Sequence, residues 1–136
     1  MQKEDIKFVD SNVFEGMTSI RGIIKGIDSG INDRKIKKIL YDVSKIKKIS
    51  KEVGYLKAVS EKYCYELIES NSEELEKITL GNSHGGIVAI TEDREVPFLS
   101  PDIALPSSGF FVMIEGIEDP YNFGYALRSL YAAGVD

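Results

Sequence analysis

Lys35-Ile36-Lys37-Lys38-Ile39-Leu40-Tyr41 sets apolar residues among lysines, and this near-alternation predicts a short, partly buried strand. Downstream, Ile46, Ile49, Val53 and Leu56 recur at helical spacing. A helix is therefore expected from a cap at Ser44 to about Lys62, with most of its lysines facing outward. Upstream, Ile20, Ile23, Ile24 and Ile27 form an i, i+3, i+4, i+7 stripe. That stripe predicts a helix over 19–29, which Thr18 or Ser19 can cap and Gly30 can follow in the left-handed conformation. Helix, strand and helix in succession are the pattern of a small α/β layer, with helices packed on a mainly parallel sheet.

The same pattern continues outward in both directions. The aromatic-rich run 63–67 reads as a second strand. Asn71 with Glu74 three residues later has the form of a capping box, and Leu75 and Ile78 supply the buried side of a short third helix. The apolar run at 86–91 predicts a central buried strand. Residues 1–17 show no sustained period and are expected to be a loosely docked arm. Pro97, Pro101 and Pro106 remove backbone donors and disfavour helix, so a linker is expected over 95–108. Residues 110–114 then read as an apolar strand, Glu118-Asp119-Pro120 as a turn, and about 121–133 as a helix. One strand and one helix cannot bury a core, so this last piece is expected to need a continuation or a partner.

At 136 residues the chain fits one domain, or one small domain and part of a second. A hydrophobic content of 43% with 29% charged residues is the balance of a soluble globular protein, and no segment has the length of a membrane span. The acidic N-terminus lacks the apolar core of an export signal, so a cytoplasmic setting is expected. Cys64 is the single cysteine; it excludes an intramolecular disulfide and a cysteine-cluster metal site, and is expected inside a strand. A net charge of −5 argues against nonspecific coating of nucleic acid. Within 34–51, however, Arg34, Lys35, Lys37, Lys38, Lys45, Lys47, Lys48 and Lys51 stand against Asp42 alone. By itself such a segment reads as a solvated face.

Glu115-Gly116-Ile117-Glu118-Asp119-Pro120-Tyr121-Asn122-Phe123-Gly124, running on to Arg128-Ser129 and Ala132-Ala133-Gly134-Val135-Asp136, resembles the first motif of SpoU/TrmH-type RNA ribose 2′-O-methyltransferases. That motif has an acidic-Gly strand end, an Asp-Pro-x-Asn-x-Gly turn and an arginine six residues after the asparagine. The resemblance implies methyl transfer from S-adenosylmethionine to a ribose 2′-hydroxyl, with Arg128 near the reacting oxygen and Asn122 at the mouth of the turn. On a helical period Phe123, Ala126, Leu127, Leu130 and Gly134 share one stripe, and Arg128 points roughly opposite with Tyr121, Tyr125 and Ala132. A guanidinium stays protonated, so Arg128 is expected to stabilise a developing alkoxide or the adjacent phosphate rather than abstract a proton. Asn122 is equally well placed to cap the helix. The sequence departs from the family pattern at Tyr125, Leu130 and Tyr131, which bears on substrate fit and subunit contact.

Asn82-Ser83-His84-Gly85-Gly86-Ile87-Val88-Ala89 is similar to the His-x-Gly-hydrophobic element that closes the family's substrate-binding domain, with Gly85 where glutamine is frequent. His84 reads either as a structural residue before a buried strand or as an RNA contact. The resemblance implies an α/β RNA-binding domain of ribosomal-protein type over 18–94, after the arm at 1–17. It then implies the 95–108 linker and, at 109–136, the truncated opening of an α/β trefoil-knot methyltransferase domain. Under it, Arg34, Lys35, Lys37, Lys38 and His84 become candidate RNA-binding residues, with rRNA favoured over tRNA, and the family's homodimer is expected of the parent enzyme. The family's cofactor-lining motifs lie beyond Asp136. No complete S-adenosylmethionine site and no metal site are expected here, and the chain alone is expected to be inactive. A noncatalytic RNA-binding module is the alternative, and a ribosomal-protein-like domain with a chance motif a third reading.

Overall fold

The near-alternation at 35–41 becomes the strand Ile36–Asp42 in a computed structural model that describes residues 12–80, 84–93, 100–102 and 107–135. The chain divides into two units, Met1–Glu95 and Val96–Asp136. The first unit runs β1 (Val13–Glu15), α1 (Gly16–Asp28), β2 (Ile36–Asp42), a 3-10 turn (Val43–Lys45), α2 (Ile46–Tyr63), β3 (Glu66–Ser70), α3 (Ser72–Ile78) and β4 (Ile87–Thr91). Its sheet has four strands in the order β1-β4-β2-β3.

β2 pairs parallel with β3, and β4 lies antiparallel to both β2 and β1. The sheet is therefore mixed, which corrects the mainly parallel arrangement expected from the alternation. The physical reason is crossover length. α2, with 18 residues, carries the chain back along the sheet, whereas α3 has 7. A helix that short spans about 10 Å and cannot return the chain past a five-residue strand of about 17 Å. β4 therefore starts at the end where β3 stops.

The apolar stripes pack as the periodicity predicts. Ile20, Ile23 and Ile24 of α1 and Ile49 and Leu56 of α2 cover Ile36, Ile39, Ile87 and Ala89 on one sheet face. Val88, alternating with its neighbours, points to the other face, where α3 packs against β2 with Leu75 buried. The interior position of β4 agrees with the continuous apolar run at 86–91. Ile46, counted in the α2 stripe, is instead 37% exposed, because it opens the helix before the stripe meets the sheet.

Several element ends differ from expectation. The expected arm contains β1, whose three residues are too few to register as a period; its residues 1–11 lie outside those described. α1 begins at Gly16 with φ +78, and no side chain caps it, so Thr18 and Ser19 are exposed first-turn residues rather than caps. Gly30 does adopt φ +70 after the helix. Asp42, not Ser44, caps the turn into α2, its carboxylate accepting the Ser44 N–H at 2.9 Å. Asn71 caps α3 by accepting the Glu74 N–H at 2.9 Å, but the Glu74 carboxylate accepts from the Ser70 hydroxyl rather than reaching back to Asn71.

The expected strand at 63–67 is displaced. Tyr63 is the last residue of α2, and Cys64 closes the helix in the left-handed conformation with φ 54, its side chain exposed. The Tyr65 N–H donates to Ser60 O and its hydroxyl to Leu56 O at 2.6 Å. Aromatic content mimics strand propensity here, but these bonds belong to a helix terminus. Cys64 thus occupies no strand.

In the second unit, α4 spans Pro120–Ala132. Residues 110–114 form no strand, because a ladder needs a neighbour and none pairs with them among the described residues. Pro97 and Pro106 of the expected linker lie outside the described residues.

Candidate functional site

α4 starts at an Asp-Pro turn. Asp119 accepts the Asn122 N–H at 2.8 Å, which assigns the cap to Asp119 and leaves the exposed Asn122 side chain out of that role. Arg128 is exposed, and its guanidinium lies 5.3 Å from the centroid of the Tyr125 ring. Stacking on an exposed ring is worth about 0.5–1 kcal/mol and leaves the in-plane N–H fork free to donate. Six residues of helix separate Asn122 from Arg128, so the two project about 120° apart and roughly 9 Å apart along the axis. α4 therefore does not bring them to one point. The stripe containing Leu127 and Leu130 faces Val112 and Ile114 across an open groove of about 440 Å³ that Tyr131 and Val135 complete. Phe123 and Leu127 remain 45% and 47% exposed, and among the described residues of this unit no sheet covers them.

In the first unit, the basic segment is not one surface. Lys35 and Lys37 are exposed near the start of β2, and Lys38 is half-buried in register with Glu66 and Ile90. Lys47, Lys48 and Lys51 lie on the first turns of α2, beyond the far end of a seven-residue strand about 20 Å long. Arg34 is engaged: one guanidinium N–H donates to the Thr91 hydroxyl at 3.1 Å, and the group lies 4.9 Å from the Phe14 ring centroid. The return of α2 along the sheet brings Lys62 to the same open groove as Arg34 and Lys35, with a volume of about 470 Å³. Sequence spacing did not indicate Lys62. Its ammonium pairs with Asp28 at 2.8 Å, and the Lys62 and Tyr63 side chains hold the Asp28 carboxyl below the usual range.

His84 is 1% exposed. Its Nδ1 accepts the Gly86 N–H at 3.0 Å, and its carbonyl accepts the Ile87 N–H at 3.1 Å. The ring thus organises the turn into β4, where Gly86 takes φ +90, a conformation side-chain-bearing residues rarely adopt, and an added Cβ would press on the Lys45 side chain at 3.0 Å. With Nδ1 accepting, the ring proton sits on Nε2. That nitrogen is buried without a hydrogen-bond partner among the described residues, an arrangement costing about 1–3 kcal/mol. The ring lines an open cleft of about 280 Å³ with Glu15, Glu52 and the first turn of α1. Asn82 and Ser83 of this motif lie outside the described residues. Among the described residues no group of three or more His, Cys, Asp or Glu side chains could hold a metal ion, and no helix is long and apolar enough to cross a membrane.

A stretch of 66 residues, 47% of the chain, is 30% identical to the 23S rRNA (guanosine-2'-O-)-methyltransferase RlmB of Bordetella pertussis. The protein of the same name from Bordetella parapertussis is equally similar over the same length. The chain covers 27% of each, so it spans about a quarter of the length of the curated relatives it matches. No protein-family model and no solved structure matches.

Proposed function

We propose that this chain carries the RNA-recognition domain, over 18–94, and the opening of the catalytic domain, over 109–136, of a ribose 2′-O-methyltransferase acting on rRNA. The observation that carries the reading is the 30% identity over 66 residues to proteins named for that reaction. In support, Arg128 lies on an exposed face of the helix that follows the Asp-Pro turn, with its N–H fork unencumbered.

The methyl donor for this chemistry is S-adenosylmethionine. The groove beside α4 is lined by five aliphatic residues and Tyr131. It lacks the set of donors and acceptors an adenosine moiety requires. The described residues of this groove therefore do not fit the cofactor. What the chain supplies is recognition and charge. Arg128 donates to the ribose oxygen as negative charge develops there, or to the neighbouring phosphate. Asn122, on another face of α4, meets the RNA backbone rather than the same atom. Lys35, Lys37 and Lys38, with Arg34, contact phosphates. A second copy supplies the homodimer typical of such enzymes.

Methyl transfer to rRNA transcripts by the full-length protein tests this reading. Arg128→Ala is expected to lower turnover by about 10²–10³, and Arg128→Lys to recover little, since an ammonium cannot present the same planar fork. Normal turnover by Arg128→Ala would sink the assigned role. RNA binding without any methyl transfer by the wild-type protein would favour a noncatalytic module.

A further inference from the structure

The cleft at the start of α1 joins two features that the fold leaves unsatisfied. α1 is 13 residues long and begins without a side-chain cap or an acidic residue in its first turn, so donors and a positive dipole end face outward there. In the wall of the same cleft stands His84, whose buried Nε2–H has no partner among the described residues. Beside Gly16, Thr18 and Gly85, the lining has Glu15 and Glu52 with an apolar base of Met17, Ile49 and Ile87, and it contains no Lys or Arg. Two carboxylates without a cation disfavour a phosphate. Glu15 is already engaged by the Leu80 N–H at 2.9 Å, whereas Glu52 sits half-buried on α2.

We propose that this cleft receives one unstacked guanine base of the RNA, its amino and imino donors facing the Glu52 carboxylate and its carbonyl accepting from His84 Nε2–H and the first-turn amides of α1. The inference rests on the RNA-binding reading above. Guanine combines adjacent N–H donors with a carbonyl acceptor on one edge; adenine lacks the carbonyl and uracil lacks the amino group. The apolar base of the cleft suits the face of a flat heterocycle, and single-stranded RNA supplies bases free to turn outward.

The experiment is a nitrogen-15 NMR titration of the chain with guanosine, adenosine and uridine monophosphates and with inorganic phosphate. Expected are saturable shifts at Gly16, Thr18, Gly85 and His84 Nε2 with the guanosine nucleotide, about tenfold weaker responses to the other two, and none to phosphate. Glu52→Gln, which keeps the size and shape of the half-buried side chain, is expected to weaken the guanosine response about tenfold. Equal shifts with phosphate, no saturable shift with the guanosine nucleotide, or an unchanged response in Glu52→Gln would each overturn the inference. Binding of an rRNA fragment is followed in parallel by fluorescence anisotropy. Binding that Glu52→Gln leaves untouched overturns the inference alone, and no rRNA binding even at low salt overturns the reading it rests on.

Discussion

Asp42 shows how one buried side chain ties two elements together. It is fully buried and accepts from the Ser44 N–H and hydroxyl, at 2.9 and 2.7 Å, and from the Ser72 hydroxyl at the start of α3, with Lys45 Nζ 3.7 Å away. Burial by itself would push its carboxyl up; the hydrogen bonds from Ser72 and Ser44 and the charge of Lys45 outweigh it and hold the group below its ordinary value. A carboxyl depressed in the folded state stabilises above its unfolded value of about 3.9, and that contribution is lost as pH falls through the depressed folded value. Urea midpoints followed from pH 7 to pH 2 are therefore expected to fall below about pH 4. Asp42→Asn should lose about 1–3 kcal/mol at pH 7 and show a flatter acid limb. An acid limb as steep in the variant as in the parent would contradict this account.

At the scale of elements, α4 depends on its first turn. Asp119 is its cap, so Asp119→Ala is expected to cost about 1 kcal/mol and to lower helicity over residues 120–132, read from carbon-13 chemical shifts. Asn122→Ala should leave helicity within a few tenths of a kcal/mol of the parent, because the Asn122 backbone N–H, not its side chain, makes the capping bond. The motif spacing showed that a helix follows the Asp-Pro turn. It did not show that Asp119, three residues before the expected Asn122, caps it, since that depends on the φ and ψ of Asp119. Similarly, the isoleucine stripe of α1 was legible in the sequence, while its uncapped start was not: Gly16 enters the helix at φ +78, a conformation that no apolar period encodes.

For the whole molecule, charge separates in space what lies together in sequence. Net charge is −5, so RNA affinity must come from a local surface. If Lys35 and Lys37 meet two single-strand phosphates, replacing both by alanine should reduce the salt slope of rRNA binding by roughly 1.4. Alanine at Lys47 and Lys48, beyond the other end of β2, should change the slope independently of the first pair. Equilibrium binding from 50 to 200 mM salt checks both expectations, and an identical slope in all variants would remove phosphate contact from these lysines. The sequence by itself determined where the helices run and, Ile46 apart, which isoleucine and leucine faces of α1 and α2 meet the sheet, because a 3.6- or 2-residue period is a local property that every neighbour repeats. It also carried the Asp-Pro-x-Asn-x-Gly turn with Arg128 after it. Strand direction, the displacement of β3, the burial of Asp42 against Ser72, the arrival of Lys62 beside Arg34, and the cleft joining His84 to Glu52 were decided only by tertiary structure. Each depends on crossover length and sheet pairing, which bring together residues that no local pattern relates.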